Sequence, residues 1–131
     1  MSAWMADIEQ VTADNENFRT VIYTGRHTQL TLMCLAPGED IGWERHGHLD
    51  QFLRVERGEG RVDLGETEES VDESQEVGAD WAVIVPAGMW HNLVNTGTGD
   101  LKLYSLYSPP EHPEGTIHVT KADAEAAEHA H

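Results

Sequence analysis

Short apolar runs separated by turn residues dominate residues 18–108 of the chain. β-Branched and aromatic residues fill these runs, and Gly, Pro or Asp interrupts them. Many short strands with regular turn signals are typical of an all-β sandwich or barrel. The predicted strands are residues 18–24, 28–36, 42–46, 51–56, 60–64, 81–85, 89–94 and 101–108.

Three other stretches lack this pattern. Residues 1–17 are polar and mixed, which predicts an irregular N-terminal arm, and the acid-rich residues 65–76 predict a solvated loop or a ragged hairpin. Alanine is frequent between Thr120 and Glu128, and Thr120 with Asp123 can form a capping box, so a short C-terminal helix is predicted here. The predicted organisation is an arm (1–17), one barrel domain (18–120) and a helix with a tail (121–131).

Size and charge narrow the range of partners. The 131 residues suffice for a single core. The chain has 24 acidic residues against 8 Lys and Arg, for a formal net charge of −16. Because such a surface repels phosphate backbones and anionic membranes, neither nucleic acid nor a membrane is an expected partner. Such a composition is typical of proteins in a salt-rich cytoplasm, where counterions screen the repulsion between carboxylates. An acidic protein of an ordinary bacterium is the alternative.

We expect neither a membrane span nor a secretory signal. The apolar runs are much shorter than a bilayer requires, and no basic segment precedes an apolar stretch at the N-terminus. This predicts a cytoplasmic protein. The one cysteine, Cys34, excludes an intrachain disulfide, and its apolar surroundings favour a small buried side chain over a reactive thiolate.

Two spaced motifs carry the candidate chemistry. They read Gly38-x5-Glu44-x-His46-x4-Gln51-x6-Gly58 and Asp80-x5-Pro86-x-Gly88-x2-His91-x3-Asn95. Alternate side chains of a strand share a face, so Glu44 and His46 point the same way. A turn over residues 47–50 brings Gln51 back, and His91 enters from a third strand. First-row metals accept imidazole, carboxylate and amide ligands, so the predicted metal ligands are Glu44, His46, Gln51 and His91.

These motifs resemble the two motifs of the cupin family. The family's first motif has two histidines and a glutamate at the spacing found here, with Glu44 in place of the first histidine and Gln51 in place of the glutamate. The second motif matches except that Asp80 replaces a glycine. The stretches 85–88, 90–92 and 101–105 are similar to those of small single-domain bacterial and archaeal cupins. The ligand types also loosely resemble those of the phosphomannose isomerases, in a different chain order.

The resemblance implies a fold and a cofactor. The fold is a cupin-type double-stranded β-helix, a jelly-roll barrel, with a short C-terminal helix. The cofactor is one divalent transition metal ion, with Zn, Mn, Fe and Ni all open. A cupin that has lost its metal is the alternative, because two ligand positions are substituted.

His48 is an alternative ligand. It shares strand parity with Glu44 and His46 if the strand continues that far, and His46-x-His48 can be read as the family's histidine pair. Gln51 would then follow His48 too closely for the usual turn, and the spacing from Gly38 would fail. The spacing therefore favours the set with Glu44, and His48 becomes a turn residue at the pocket rim.

The candidate catalytic residues are Glu44, His48 and Tyr104. Tyr104 and Tyr107 have opposite strand parity, so one of them can face the pocket and donate a proton or a hydrogen bond; a core role is the alternative. His27, His112 and His118 are expected to be solvated loop histidines. Trp43, Trp90, Phe52 and Arg54 are expected to point away from the ligands, and such an outward aromatic face suggests a homodimer.

The functional prediction is a metal-dependent enzyme of isomerase, lyase or dioxygenase type. Its expected substrate is a small polar molecule, such as a sugar derivative or an oxygenated acid. The alternative is a non-catalytic small-molecule-binding or sensor protein. Substitution of Glu44 or His91 distinguishes the two hypotheses. In the enzyme it would remove metal and activity together, whereas in the non-catalytic protein it would leave ligand binding intact.

Overall fold

The computed structural model describes residues 2–129 and shows two antiparallel sheets with a short helix before and after them. The elements are, in chain order, α1 (Ile8–Asp14), β1 (Arg19–Thr24), β2 (Gln29–Leu35), β3 (Glu44–Arg45), β4 (Asp50–Arg57), β5 (Glu59–Gly65), β6 (Glu73–Gly78), β7 (Ala82–Val85), β8 (Trp90–Asn95), β9 (Leu101–Ser108), β10 (Ile117–His118) and α2 (Lys121–His129). None of the helices within residues 2–129 is long and apolar enough to cross a membrane.

The two sheets enclose one core. The larger sheet has the strand order β10-β1-β2-β9-β4-β7, and the smaller one has the order β3-β8-β5-β6. Along β4 and β9 buried and less buried residues alternate, as expected for strands with one face turned inward. The buried apolar cluster consists of Phe18, Met33, Leu35, Ile41, Leu53, Val55, Val62, Val77, Val85, Leu93, Leu101, Leu103 and Ala124. The all-β prediction and the eight predicted strands are confirmed, with ends that differ by a residue or two.

Strand register collects inward polar residues at one end of the barrel. In the larger sheet Tyr107 lies opposite both Gln29 and Gln51. In the smaller sheet Glu44 lies opposite His91. These residues are near the beginnings of β2, β4 and β8 and the end of β9, so all of them border the same open end.

The prediction of an irregular N-terminal arm is wrong. Residues Ile8–Asp14 form α1, and the Asp7 side chain caps it by accepting a hydrogen bond from the Gln10 backbone N–H. Helix α1 is short and shows little apolar periodicity, so tertiary contact stabilises it: it packs on β4 and β9 and buries Thr12 completely.

Two further strands were not predicted. The acidic stretch ends in β6, which pairs with β5 as a hairpin, so the hairpin alternative is the better description of residues 65–76. β10 has only two residues and pairs with β1. Neither strand has an apolar alternation, because their side chains are mostly exposed.

The predicted C-terminal helix and its capping box are confirmed. The Thr120 backbone N–H donates to Asp123 Oδ2 at 3.2 Å, and the Asp123 N–H donates to Thr120 Oγ1 at 3.1 Å. Ala124 is buried against the core, and Lys121 forms an ion pair with Asp40. Residues 130 and 131 of the predicted tail lie outside the described residues.

Candidate metal centre

Four of the predicted residues meet at the open end of the barrel. Glu44 is on β3, with His46 immediately after it; Gln51 is the second residue of β4, and His91 is the second residue of β8. Gln51 and His91 are 2% exposed, whereas Glu44 and His46 are partly exposed. The site thus has a closed inner side on the two sheets and an accessible side at β3.

The donor atoms are spaced as metal ligands are. Glu44 Oε1 lies 3.4 Å from His46 Nε2 and 3.6 Å from His91 Nε2. Gln51 Oε1 lies 3.0 Å from His91 Nε2. With bonds of about 2.1 Å, neighbouring ligands are separated by about 3.0 Å in an octahedron and about 3.4 Å in a tetrahedron. Glu44, His46 and His91 therefore form a potential metal-binding site, and Gln51 Oε1 lies beside it.

Hydrogen bonding outside the cluster points the nitrogen and oxygen lone pairs into it. His91 Nδ1 lies 3.2 Å from the Met89 carbonyl, which can only accept, so Nδ1 carries the proton and Nε2 is available as a ligand. Gln51 Nε2 donates to Ser105 Oγ at 3.2 Å, which turns Oε1 toward His91. His46 Nε2 is buried and has no hydrogen-bond partner among residues 2–129. The donor chemistry and this unpartnered nitrogen fit a divalent metal ion.

The carboxylate and the neighbouring imidazole stabilise each other's charge. Burial alone would raise the pKa of the Glu44 carboxyl, but His46 and His91 more than offset this and lower the pKa to about 2. Burial also disfavours a charge on His46, yet the Glu44 carboxylate, with Glu111 further away, raises the pKa of that imidazole above its ordinary value. Glu44 is therefore ionised at neutral pH, as a metal ligand must be.

Tyr107, and not Tyr104, faces the cluster. The Tyr107 ring is 2% exposed and packs edge-on against His46 with centroids 5.9 Å apart. Burial and the Glu44 carboxylate raise the pKa of its hydroxyl, so Tyr107 stays protonated. Tyr104 lies on the other face of β9, where its ring is 6.3 Å from Phe52. The opposite parity of the two tyrosines was predictable, but the face that turns inward was not.

His48 lies outside the cluster. Its side chain is 68% exposed in the turn between β3 and β4, and its Nε2 is 3.7 Å from Glu111 Oε2. The other oxygen of Glu111 is 3.8 Å from His46 Nδ1. The structure therefore places His48 at the rim, with Glu111 between it and the four donors.

A model of the cupin domain matches residues 31–107, which include all four donors. The chain belongs to the cupin family. The predicted double-stranded β-helix of cupin type is confirmed by this match and by the solved cupins it resembles.

Known relatives extend the match over almost the whole chain. This cupin is 52% identical to YrkC of Bacillus subtilis over 125 residues, which cover 95% of this chain and 67% of YrkC. The crystal structure of BH2720 from Bacillus halodurans has a TM-score of 0.94 and 51% identity, with 95% of each chain covered. A predicted oxalate decarboxylase from Thermotoga maritima is 20% identical, with a TM-score of 0.57 and coverage of 65% of this chain and 69% of that one. The last likeness shows the fold alone.

Sequence reasoning missed two residues of the cupin site, Glu111 and His112. They follow the double proline after β9, in a segment without strand or helix signals. The fully buried Gln29 holds them in place: its Oε1 accepts from the Glu111 and His112 N–H groups at 3.1 and 2.9 Å, and its Nε2 donates to the His112 carbonyl. His112 consequently packs edge-on against Tyr107, with centroids 5.1 Å apart, and is not a solvated loop histidine.

The outward aromatic residues lie where parity predicted. Trp43 and Trp90 stack on each other with centroids 5.9 Å apart, and the Trp43 indole N–H donates to the Glu68 carbonyl. Through these contacts the two tryptophans connect β3 to β8 and to the acidic segment. Cys34 is buried, as predicted.

Proposed function

We propose that this cupin is a metal-dependent enzyme acting on a small polar molecule, with Glu44, His46, Gln51 and His91 as the metal ligands. One observation carries the proposal. Glu44, His46 and His91 each direct one potential ligand atom into a single cluster, Gln51 Oε1 lies 3.0 Å from His91 Nε2, and the buried His46 Nε2 makes no hydrogen bond within residues 2–129. A buried polar atom without a partner costs stability, so its retention favours a role in binding.

The ligand set favours Lewis-acid chemistry without excluding redox chemistry. One carboxylate and three neutral donors leave most of the charge of a divalent ion uncompensated. A bound divalent ion would polarise a substrate carbonyl or hydroxyl oxygen, as isomerases and lyases require, and iron would add the redox chemistry of a dioxygenase.

Tyr107 is the protein group best placed to assist. Its raised pKa keeps the hydroxyl protonated, so it can donate a hydrogen bond to a substrate oxygen that gains negative charge. In the proposal it replaces Tyr104, whose ring lies on the far face of the sheet. Glu44 would serve as a ligand, and His48 would contact substrate only at the rim.

The side chains around the donors are closely packed. The space lined by His46, Leu49, Gln51, Val85, Pro86, Met89 and His91 leaves no room for a water molecule. A small substrate that approaches from the partly exposed side of the site, at Glu44 and His46, is therefore expected. A non-catalytic carrier of such a molecule is the second candidate.

Elemental analysis tests the metal site. The full chain would carry His129→Ala and His131→Ala, because histidines near the C-terminus can bind stray metal. We expect about one equivalent of one transition metal per chain, lost in His91→Ala because a buried ligand is removed. His27→Ala, at an exposed turn, is the matched control and should keep the metal.

The outcomes separate the two candidates. Metal retained in the His27 variant and lost in the His91 variant would support the enzyme, and the metal's identity would select Lewis-acid or redox chemistry. Folded protein that takes up no metal, even when the ion is supplied during refolding, would contradict the metal site and leave the non-catalytic carrier.

We also propose that two copies associate through the outer face of the larger sheet. Phe52 lies opposite Leu106 and Ile84 in neighbouring strands, and Ile84 is 72% exposed. An apolar row of this kind is typical of a subunit contact. Light scattering after gel filtration should give a dimer for the wild type and a monomer for Ile84→Glu. A monomeric wild type would contradict the proposal.

A further inference from the structure

Arg19 is a buried cation inside the barrel. It begins β1, where it lies opposite Met33 of β2 and His118 of β10. Its side chain is 4% exposed, and Val21, two residues on and on the same face, is also buried. Arginine is rarely buried to this extent unless it is paired, because desolvating the guanidinium is costly.

No carboxylate compensates this charge. Within residues 2–129, no Asp or Glu oxygen lies within 4.0 Å of the Arg19 guanidinium. Its one side-chain hydrogen bond there runs from Nη1 to His118 Nδ1 at 3.2 Å, and its Cζ lies 5.4 Å from the centre of the Phe18 ring. The Nε–H is buried and has no acceptor. The edge formed by Nε and Nη2, which carries two parallel donors, is therefore unused.

The two histidines near Arg19 are neutral. His118 Nδ1 accepts from the guanidinium, so that imidazole is uncharged. Burial and the Arg19 charge lower the pKa of His112 to about 3, and His112 Nε2 is likewise buried without a partner. Neither histidine therefore balances the cation. The carboxylates of Glu44 and Glu111 act on the same interior, but both lie more than 4.0 Å from the guanidinium.

Arg19 belongs to the same interior as the candidate metal centre. The two are linked by packed rings, since His112 contacts Tyr107 and Tyr107 contacts His46. His112 is in turn close enough to Arg19 for the guanidinium charge to act on it, so a ligand that extends from the metal centre toward His112 would approach Arg19.

We propose that Arg19 determines the substrate class of this cupin by binding an oxyanion group, a carboxylate or a phosphate, through its Nε and Nη2 donors. The parallel N–H bonds of this edge match the two oxygens of such a group. His112 Nε2, which is buried and has no hydrogen-bond partner among the described residues, would be an additional polar contact. The substrate is then an anion, although the net charge of −16 repels anions from the surface.

The inference rests on the proposed function for the reaction, but anion binding by Arg19 needs no metal. Calorimetry and thermal unfolding would use malonate and inorganic phosphate as probes, with uncharged malonamide as the control ligand. Each probe would be tested on the protein as purified and after dialysis against a chelator, with the metal content measured in parallel. Tighter binding of malonate would identify a carboxylate as the bound group, and tighter binding of inorganic phosphate would identify a phosphate.

Two variants provide the comparison. Arg19→Gln removes the cation, and Arg26→Gln removes an exposed one in the turn after β1. Both anions should bind at least about tenfold more weakly to Arg19→Gln, because a charged hydrogen-bonding group is lost, and equally well to wild type and Arg26→Gln. If Arg19→Gln does not fold, Arg19→Lys keeps the charge without the two-donor edge and should also bind about tenfold more weakly.

The inference is overturned if the anions stabilise the wild type no more than malonamide does, or if the Arg19 variants bind them as tightly as the wild type. Loss of anion binding in Arg19→Gln with unchanged metal content supports it. Arg19-dependent anion binding by a protein that never takes up metal also supports it, while contradicting the metal-dependent enzyme.

Discussion

Gln51 Oε1 and His91 Nε2 lie 3.0 Å apart, and the other polar atom of each side chain is already engaged. His91 Nδ1 donates to the Met89 carbonyl, and Gln51 Nε2 donates to Ser105 Oγ. A lone pair on His91 Nε2 therefore faces a lone pair on Gln51 Oε1. Such an arrangement is unfavourable unless a proton or a metal ion lies close to both. The proposed metal centre therefore has either three ligands, Glu44, His46 and His91, or Gln51 as a fourth.

Changing Gln51 distinguishes these two sites. In Gln51→Leu we expect divalent metal to bind at least about tenfold more weakly. A loss of this size is seen even when a residue that only hydrogen-bonds to a metal ligand is changed. In Gln51→Glu we expect tighter binding, because a second carboxylate adds negative charge. Competition with a chelating dye measures both affinities. Unchanged affinity in Gln51→Leu would restrict the ligands to Glu44, His46 and His91.

His112 makes the protein sensitive to acid. Its pKa is about 3 in the folded state against an ordinary value of 6.5, so between these values the unfolded chain binds a proton that the folded chain does not. The contribution of His112 to stability is therefore complete above about pH 6.5 and is lost as the pH falls toward 3.

We expect His112→Asn to flatten the pH dependence of stability between pH 6 and 5. The free energy of unfolding of the wild type should fall more steeply than that of the variant, by up to about 1.4 kcal/mol per pH unit, the value for one proton. Urea unfolding at several pH values measures the slopes, and His27→Asn, at an exposed turn, should keep the wild-type slope. Parallel curves for wild type and His112→Asn would contradict the assignment.

The turn between β4 and β5 depends on a glycine. Gly58 has a φ of +96°, and a Cβ placed there would lie 2.7 Å from the Asp100 carbonyl oxygen. Gly78, at the end of β6, has an unexceptional φ, and its nearest atom would be 3.7 Å from a Cβ. A side chain is thus sterically opposed at Gly58, in the turn, and has room at Gly78, at the end of β6.

We expect Gly58→Ala to destabilise the fold by about 1–3 kcal/mol, because both the left-handed conformation and the close carbonyl oppose a methyl group. Gly78→Ala should change the free energy of unfolding by much less. Chemical denaturation of the two variants provides the comparison. Equal effects at the two positions would mean that the turn relaxes around the methyl group.

Charge acts at the scale of the whole molecule. The net charge of −16 is carried by a chain in which four of the eight Lys and Arg residues already form ion pairs with acidic neighbours: Arg54, Arg57, Arg61 and Lys121. The exposed segment of residues 66–76 concentrates further negative charge at one hairpin. Self-repulsion among these carboxylates opposes compaction, and salt screens it.

We therefore expect the Tm to rise with KCl between about 0.05 and 1 M, over which the screening length falls from beyond 10 Å to about 3 Å. Calorimetric scans measure the rise. The double variant Glu68→Gln, Glu69→Gln, altered only at exposed positions, should have a higher Tm at low salt and a smaller rise. A Tm independent of KCl in the wild type would show that the repulsion is negligible.

Most of the fold was predictable because its signals are local. Apolar runs between turn residues located eight of the ten strands in the described residues, and the spacing of the two motifs placed Glu44, His46, Gln51 and His91 in one predicted site. Helix α1 and the strands β6 and β10 were not predictable, since they are stabilised by contacts with distant strands and show little pattern of their own.

The sequence by itself determined the class of fold, the two motifs and the four candidate ligands, because each depends on residue types at short separations. Only the tertiary structure decided which tyrosine faces the cluster, that His48 lies at the rim, and that Arg19 and His112 share the interior with the ligands. These relations join residues that are far apart in the chain, through register across the sheets and the bonds of Gln29 to the segment after β9.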